Sequence, residues 1–222
     1  MFPFLAFISE ILPIIFYLSF IKRNRGEGLG VIFLYCCMSW LTEPFFVERL
    51  FHLLNLNIPR YIVYASFTIL EFTLFSFFFY SSLQGKRLKY IPIFGALIFY
   101  GVAVANFVKG TEDSFDSLPA SVEAIMVISY CILLLYEQVN DPRVTFVYET
   151  KKFWIIIAFF LYFSASLFLF LYAKSFTKTD FDQYWSINNF FEILKNILFS
   201  ISFIMKKSSK QPYPIDNPDP DI

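Results

Sequence analysis

Seven apolar stretches, each near the length of a helix that crosses a bilayer and parted by short polar connections, dominate this chain. A hydrocarbon core of about 30 Å asks for roughly 20 consecutive apolar residues in a helix. Such windows fall near residues 4–21, 31–51, 62–83, 90–108, 118–136, 153–173 and 184–205. Barrel strands would need alternating apolar and polar positions, whereas 72–80 and 153–160 are almost unbroken apolar runs. In hydrocarbon the backbone must then satisfy itself within helices. The sequence predicts an all-α polytopic bundle of seven transmembrane helices over 1–210, followed by a Pro- and Asp-rich tail, 211–222, with the composition of disorder. A 57% hydrophobic content and 32 Phe in 222 residues fit that solvent.

Basic residues give a direction. Lys22, Arg23, Arg25, Lys86, Arg87, Lys89, Arg143, Lys151, Lys152, Lys206, Lys207 and Lys210 all fall on alternate connections, and these are 12 of the 18 Lys and Arg. The positive-inside bias places them in the cytoplasm, with the N-terminus outside. Glu10 interrupts the first apolar run and no basic segment precedes it, so the first span is expected to be retained rather than cleaved as a signal. Tyr80, Tyr90, Tyr136, Trp154, Tyr172 and Tyr184 lie near span boundaries, where aromatic belts form. Localisation in a bacterial inner membrane follows as the expectation.

Much is excluded by the same reading. The longest inner connection, 137–152, is too short to fold separately, and net charge is zero. No Gly-rich phosphate loop or basic nucleic-acid patch occurs. With a single His, a histidine-rich zinc centre is ruled out, and no cofactor or metal is implied. Ser9 beside Glu10 lacks a histidine base, so no catalytic constellation is expected and the chain reads as a non-enzyme. Cys36, Cys37 and Cys131 fall inside spans and read as membrane-core thiols. Glu43-Pro44 marks either a kink or the start of an amphipathic outer segment, 45–54, while Glu112, Asp113 and Asp116, and Asp180 and Asp182, read as acidic outer rims.

The chain also looks duplicated. Tyr64 precedes Glu71 by seven positions, as Trp185 precedes Glu192, which stacks ring and carboxylate on one helical face. Glu10 and Glu123 occupy similar places near the starts of spans one and five. Spans one to three would then correspond to five to seven, with span four as connector, a parallel 3+1+3 repeat about an axis along the membrane normal. At about 1.5 Å of rise per residue, Glu10 and Glu123 would lie roughly 8–9 Å below the outer boundary, and Glu71 and Glu192 roughly 12–14 Å.

A charge near the middle of a membrane helix costs about 2.5–3.5 kcal/mol on insertion scales, so these acids should face inward and find partners, protons or water. Span seven carries Asn188, Asn189, Glu192, Lys195 and Asn196 on one stripe, where Glu192 and Lys195 can pair. That stripe is either an ion pair with amide glue or a ligand or proton site formed by Glu71, Glu192, Lys195, Asn188, Glu10 and Glu123, with Tyr64 and Trp185 along its approach. In the second case at least one carboxyl should hold a proton or a cation.

The seven-span, N-out, 3+1+3 plan resembles the PQ-loop and sugar-transporter family in topology, although the Pro-Gln pair of spans one and five is missing. Residues 64–80, 115–142 and 184–203 are similar to small bacterial seven-helix proteins of unassigned activity, a resemblance that implies two-component signalling neighbours. Seven Gly in the whole chain favour a bundle moving by small shifts over one that rocks open. The leading expectation is a receptor-like or partner-regulating module, sensing a small ligand or proton and docking a cytoplasmic or membrane signalling protein through 137–152 and 206–210. A small-solute or proton-coupled transporter is the alternative.

Overall fold

The computed structural model describes residues 2–25, 28–42, 60–109, 117–142, 146–172 and 178–206. Among them the structure is helical and contains no strand. It comprises α1 (Phe2–Ser19), a one-turn α2 (Ile21–Asn24), α3 (Leu29–Thr42), α4 (Arg60–Ser82), α5 (Tyr90–Lys109), α6 (Ser117–Val139), α7 (Lys151–Tyr172) and α8 (Lys178–Ile204), with a 3-10 turn at Val147–Glu149. Four described helices are long and apolar enough to cross a bilayer: Tyr90–Val108, Ser117–Val139, Lys151–Tyr172 and Tyr184–Ile204. Glu43-Pro44, segment 45–54, Glu112, Asp113, Asp116, residues 207–210 and the tail 211–222 lie outside the described residues. Asp180 and Asp182 fall within α8, because the helix starts six residues before the expected span. Acidic residues in a first turn complement the positive end of the helix dipole.

Helix boundaries follow local chemistry. Pro92 and Pro119 sit in the first turns of α5 and α6, where a missing N–H breaks no internal hydrogen bond. Thr150 caps α7: its Oγ1 accepts the Phe153 N–H at 3.2 Å. Gly28, at φ +75°, makes the left-handed turn into α3. Pro13 stays inside a continuous α1.

Each long helix touches the next along the chain, α1 to α3, α4, α5, α6, α7 and α8, and α8 closes on α1. An additional contact joins α4 to α6 across the base of α5. The described helices are apolar on their outer faces as well as in the core, and polar side chains are buried among the core residues. Ser9, Glu10, Ser121, Glu123, Ser166, Asn188, Lys195, Asn196 and Ser202 are buried, while Phe4, Phe94, Leu97, Val108 and Phe168 face outward, Val108 at 78% exposure. Such outward apolar faces run along every long helix and far exceed the patches tolerated on a soluble monomer. α5 is the most peripheral, with 17% of its apolar window buried.

Two layers fill the interior. One is a plug of aromatic rings: Phe75 and Phe159 meet edge-on with centroids 4.6 Å apart, Phe159 and Phe199 at 5.2 Å, and Phe203 lies edge-on to Tyr17 at 5.1 Å. Beyond it, one end of the bundle is stitched by polar contacts. Arg23 Nη1 donates to the Ile204 carbonyl and Asn24 Nδ2 to that of Phe203 at 3.2 Å. Lys151 Nζ donates to the Arg23 carbonyl at 3.0 Å and to Asn24 Oδ1 at 2.9 Å. Ser202 Oγ donates to the Lys151 carbonyl at 2.9 Å. Nearby, the Glu137 carboxylate accepts the backbone N–H groups of Gln84 and Gly85 at 2.8 and 2.7 Å, tying the α4–α5 turn to the end of α6. Thus the connection expected over 137–152 is partly helical and anchored.

Candidate functional site

The second interior layer lies on the other side of the plug, and α8 organises it. Positions 188, 192, 195 and 196 recur at the helical period, so one face of α8 presents amide, carboxylate and ammonium together. Lys195, 2% exposed, approaches Glu192 Oε1 at 3.7 Å, and the Glu192 side chain is 15% exposed. The ammonium donates to the Tyr35 hydroxyl on α3 at 2.7 Å. It also sits 4.4 Å from the centre of the Tyr162 ring on α7 and 5.1 Å from that of Tyr35. Bonded to the hydroxyl, the ammonium lies off the edge of Tyr35, and it is the Tyr162 face whose quadrupole attracts it.

Glu71 enters from α4. Its carboxylate hydrogen-bonds with the Tyr35 hydroxyl and lies within electrostatic reach of Lys195 and Glu192. Because Tyr35 Oη accepts from Lys195, its own O–H is left to donate to Glu71. Hence Tyr35 bridges base and acid across α8, α3 and α4. Asn188 Oδ1 accepts from Ser166 Oγ at 2.7 Å, leaving its NH2 for the Tyr162 hydroxyl. Glu123 on α6 is 3% exposed and within reach of Glu71 and Tyr162, and its Oε1 has no hydrogen-bond partner.

Glu71, Glu192, Lys195 and Asn188 are therefore brought together, and Glu123 borders them. Glu10 lies at the α1–α3 contact, where Oε1 accepts from Ser39 Oγ at 2.7 Å. Cys36, adjacent to Tyr35, is within electrostatic reach of both Glu10 and Lys195. Asn196 Nδ2 donates to Ser9 Oγ at 2.9 Å, which fastens α8 to α1. Trp185 is half-buried against the edge of the core, and the side chain of Tyr64 lies outside the described residues.

Sequence reasoning missed Tyr35, Tyr162 and Ser166. The available signal was depth, since a tyrosine in mid-span must place its hydroxyl on a partner when buried. Both phenols were lost among 14 Tyr whose commonest membrane role is the interfacial belt.

Chemically, the layer offers carboxylates, an ammonium and phenol hydroxyls, with Lys195, Tyr35 and Glu123 buried and Glu71, Tyr162 and Glu192 half-buried, a set suited to holding a proton or a cation. No group of three or more His, Cys, Asp or Glu that could hold a metal ion occurs among the described residues. Two shallow, open hollows lie elsewhere, on the apolar flanks of α3. One of about 360 Å3 is lined by Leu34, Cys37, Met38, Leu70 and Leu74, and one of about 260 Å3 by Ile11, Ile14 and Trp40. Compared with protein-family models, curated proteins and solved structures, the chain matches none.

Proposed function

We propose that this protein is an integral membrane sensing module that registers a small ligand or a proton at the Glu71–Tyr35–Lys195–Glu192 layer and conveys its state to a protein on the cytoplasmic side. The observation that carries this reading is the relation of Tyr35 to its two neighbours. Its hydroxyl belongs to the charged layer, while its ring lies edge-on to Phe75 at 4.8 Å and to Phe199 at 6.3 Å. Below the charges stands a close-packed aromatic plug, flanked by the buried Ser76, Asn196 and Ser200, and close packing of that kind passes on small displacements.

The proposed setting is a bacterial inner membrane, with seven spans, the N-terminus outside and a parallel 3+1+3 repeat. The apolar outer faces and the buried polar side chains support embedding. Helix contacts support the repeat, because they come in pairs under the expected correspondence: α1–α3 with α6–α7, α3–α4 with α7–α8, and α4–α6 with α8–α1. Fully buried Phe78 and Phe199 follow Glu71 and Glu192 by the same seven positions. Residues 137–152 and 206–210 form the proposed docking face.

That repeat is also the specific feature favouring the second reading, a proton-coupled or small-solute transporter, since carriers are built on such symmetry. Reconstitution separates the two. Proteoliposomes holding the full chain should show no proton or solute flux, and the chain should retain a cytoplasmic partner whose binding changes in Glu192→Gln. Flux that disappears in Glu192→Gln would overturn sensing in favour of transport.

A further inference from the structure

The geometry points to a cation cage at Lys195 whose external ligand is a small primary ammonium compound, with the Lys195 side chain as the tethered occupant that the ligand displaces; this rests on the charged layer being the sensing site. The cage already holds an ammonium group. Its walls are the Tyr162 face at 4.4 Å, the Tyr35 hydroxyl at 2.7 Å and Glu192 Oε1 at 3.7 Å, with the Glu71 carboxylate within electrostatic reach. Aromatic faces combined with carboxylates form the chemistry that recognises ammonium ligands.

Charge sets the sign of the ligand. Among the described residues Lys195 is the base beside Glu71 and Glu192, and Glu123 lies within reach of Glu71, so carboxyl groups outnumber the base, a further positive charge is attracted and an anion is repelled. Glu123 Oε1 offers a buried acceptor with no partner, already stripped of water. The Tyr162 wall is preformed, because Ser166 fixes Asn188 and Asn188 fixes the phenol. Lys195 can leave without unfolding α8, since its stem is a flexible four-carbon chain one turn from Glu192. Glu192, 15% exposed, is the open edge of the cage. An arriving ammonium would take the place of Lys195 and release Tyr35 from it.

The test uses the full-length protein in lipid nanodiscs, titrated with methylammonium chloride against sodium chloride at constant ionic strength and followed by near-ultraviolet tyrosine circular dichroism. Wild type should saturate with methylammonium in preference to sodium. Lys195→Ala, which removes the tethered competitor, should bind at least about tenfold tighter, since a linked group competes at millimolar or higher effective concentration. Tyr162→Leu should lose the response. The proposal is overturned by a wild type that does not saturate, by sodium acting equally well, or by Lys195→Ala binding no tighter. Should Lys195→Ala fail to fold, the wild-type and Tyr162→Leu titrations decide alone. Infrared titration of the same samples keeps the two readings apart: a carboxyl band that responds to pH without methylammonium binding would sink the cage and leave proton sensing standing, and absence of both would sink both.

Discussion

Tyr35→Phe removes one oxygen and nothing else, which makes it the sharpest probe of the charged layer. Two interactions disappear, the bond accepted from Lys195 at 2.7 Å and the one donated to Glu71. Hydrogen bonds to charged groups are worth about 1.5–3 kcal/mol each in soluble proteins. Between membrane helices the measured average is about 0.6 and the maximum about 1.7 kcal/mol, because released groups find substitutes. Both charges here keep a substitute: Lys195 retains Glu192 at 3.7 Å and the Tyr162 face at 4.4 Å, and Glu71 retains the charge of Lys195. No cavity opens, since a Phe ring keeps the edge contacts with Phe75 and Phe199. The expected loss is therefore about 1–2 kcal/mol rather than the sum of two soluble-protein bonds. Reversible unfolding in mixed micelles measures it, and a double-mutant cycle with Lys195→Met isolates the coupling, expected near 1 kcal/mol. A Tyr35→Phe variant within about 0.3 kcal/mol of wild type, and additive with Lys195→Met, would show that the hydroxyl does not bridge the two charges.

Gly95→Ala should destabilise the α5–α6 contact by about 1–3 kcal/mol in thermal unfolding, because its Cβ would stand 1.8 Å from the buried Tyr130 hydroxyl. The paired Gly101→Ala meets nothing within 4 Å and should be neutral or stabilising by up to about 1 kcal/mol through helix propensity. Glu137→Ala removes both oxygens that accept the Gln84 and Gly85 N–H groups, so both amides should exchange with solvent faster in hydrogen-exchange measurements while those of α8 stay protected. Asn24→Ala strips an acceptor from Lys151 and a donor from the Phe203 carbonyl, and should cost about 1–3 kcal/mol. Its hydrogen-exchange signature should be confined to the last turn of α8; equal loosening around Lys195 would refute an independent clasp.

Helix positions were legible in the sequence because hydrocarbon sets their length. Residues 90–108 and 118–136 match α5 and α6 closely, and Pro92 and Pro119 mark their starts. The intrahelical Glu192–Lys195 pair was legible too, since a spacing of three fixes it without knowledge of any neighbour. What could not be read was the rotation of each helix about its axis. A helix that is apolar toward lipid and also toward a phenylalanine plug has no contrasting face, so nothing in the pattern of α3 or α7 says that Tyr35 and Tyr162 turn toward Lys195. Glu10 illustrates the same point. Its place near the start of α1 resembles that of Glu123 on α6, yet its rotation gives it Ser39 as a partner and Cys36 within electrostatic reach.

α8 is the element through which the sensing reading becomes a mechanical statement. Glu192 and Lys195 belong to the charged layer, Phe199 and Phe203 to the plug, and the Phe203 and Ile204 carbonyls are gripped by Asn24 and Arg23. A helix is stiff along its axis, and an aromatic core packed at contact distance resists compression. In the proposed mechanism a change in the bonds that hold Lys195 to α3 is passed along α8, past the Asn196–Ser9 bond to α1, to the Arg23–Asn24 clasp at its end. The clasp is also joined to Lys151, so movement there reaches the start of α7 as well as Lys206. In the proposed orientation both lie on the cytoplasmic face, which is why a partner docking at 137–152 and 206–210 would read the occupancy of a layer it never touches.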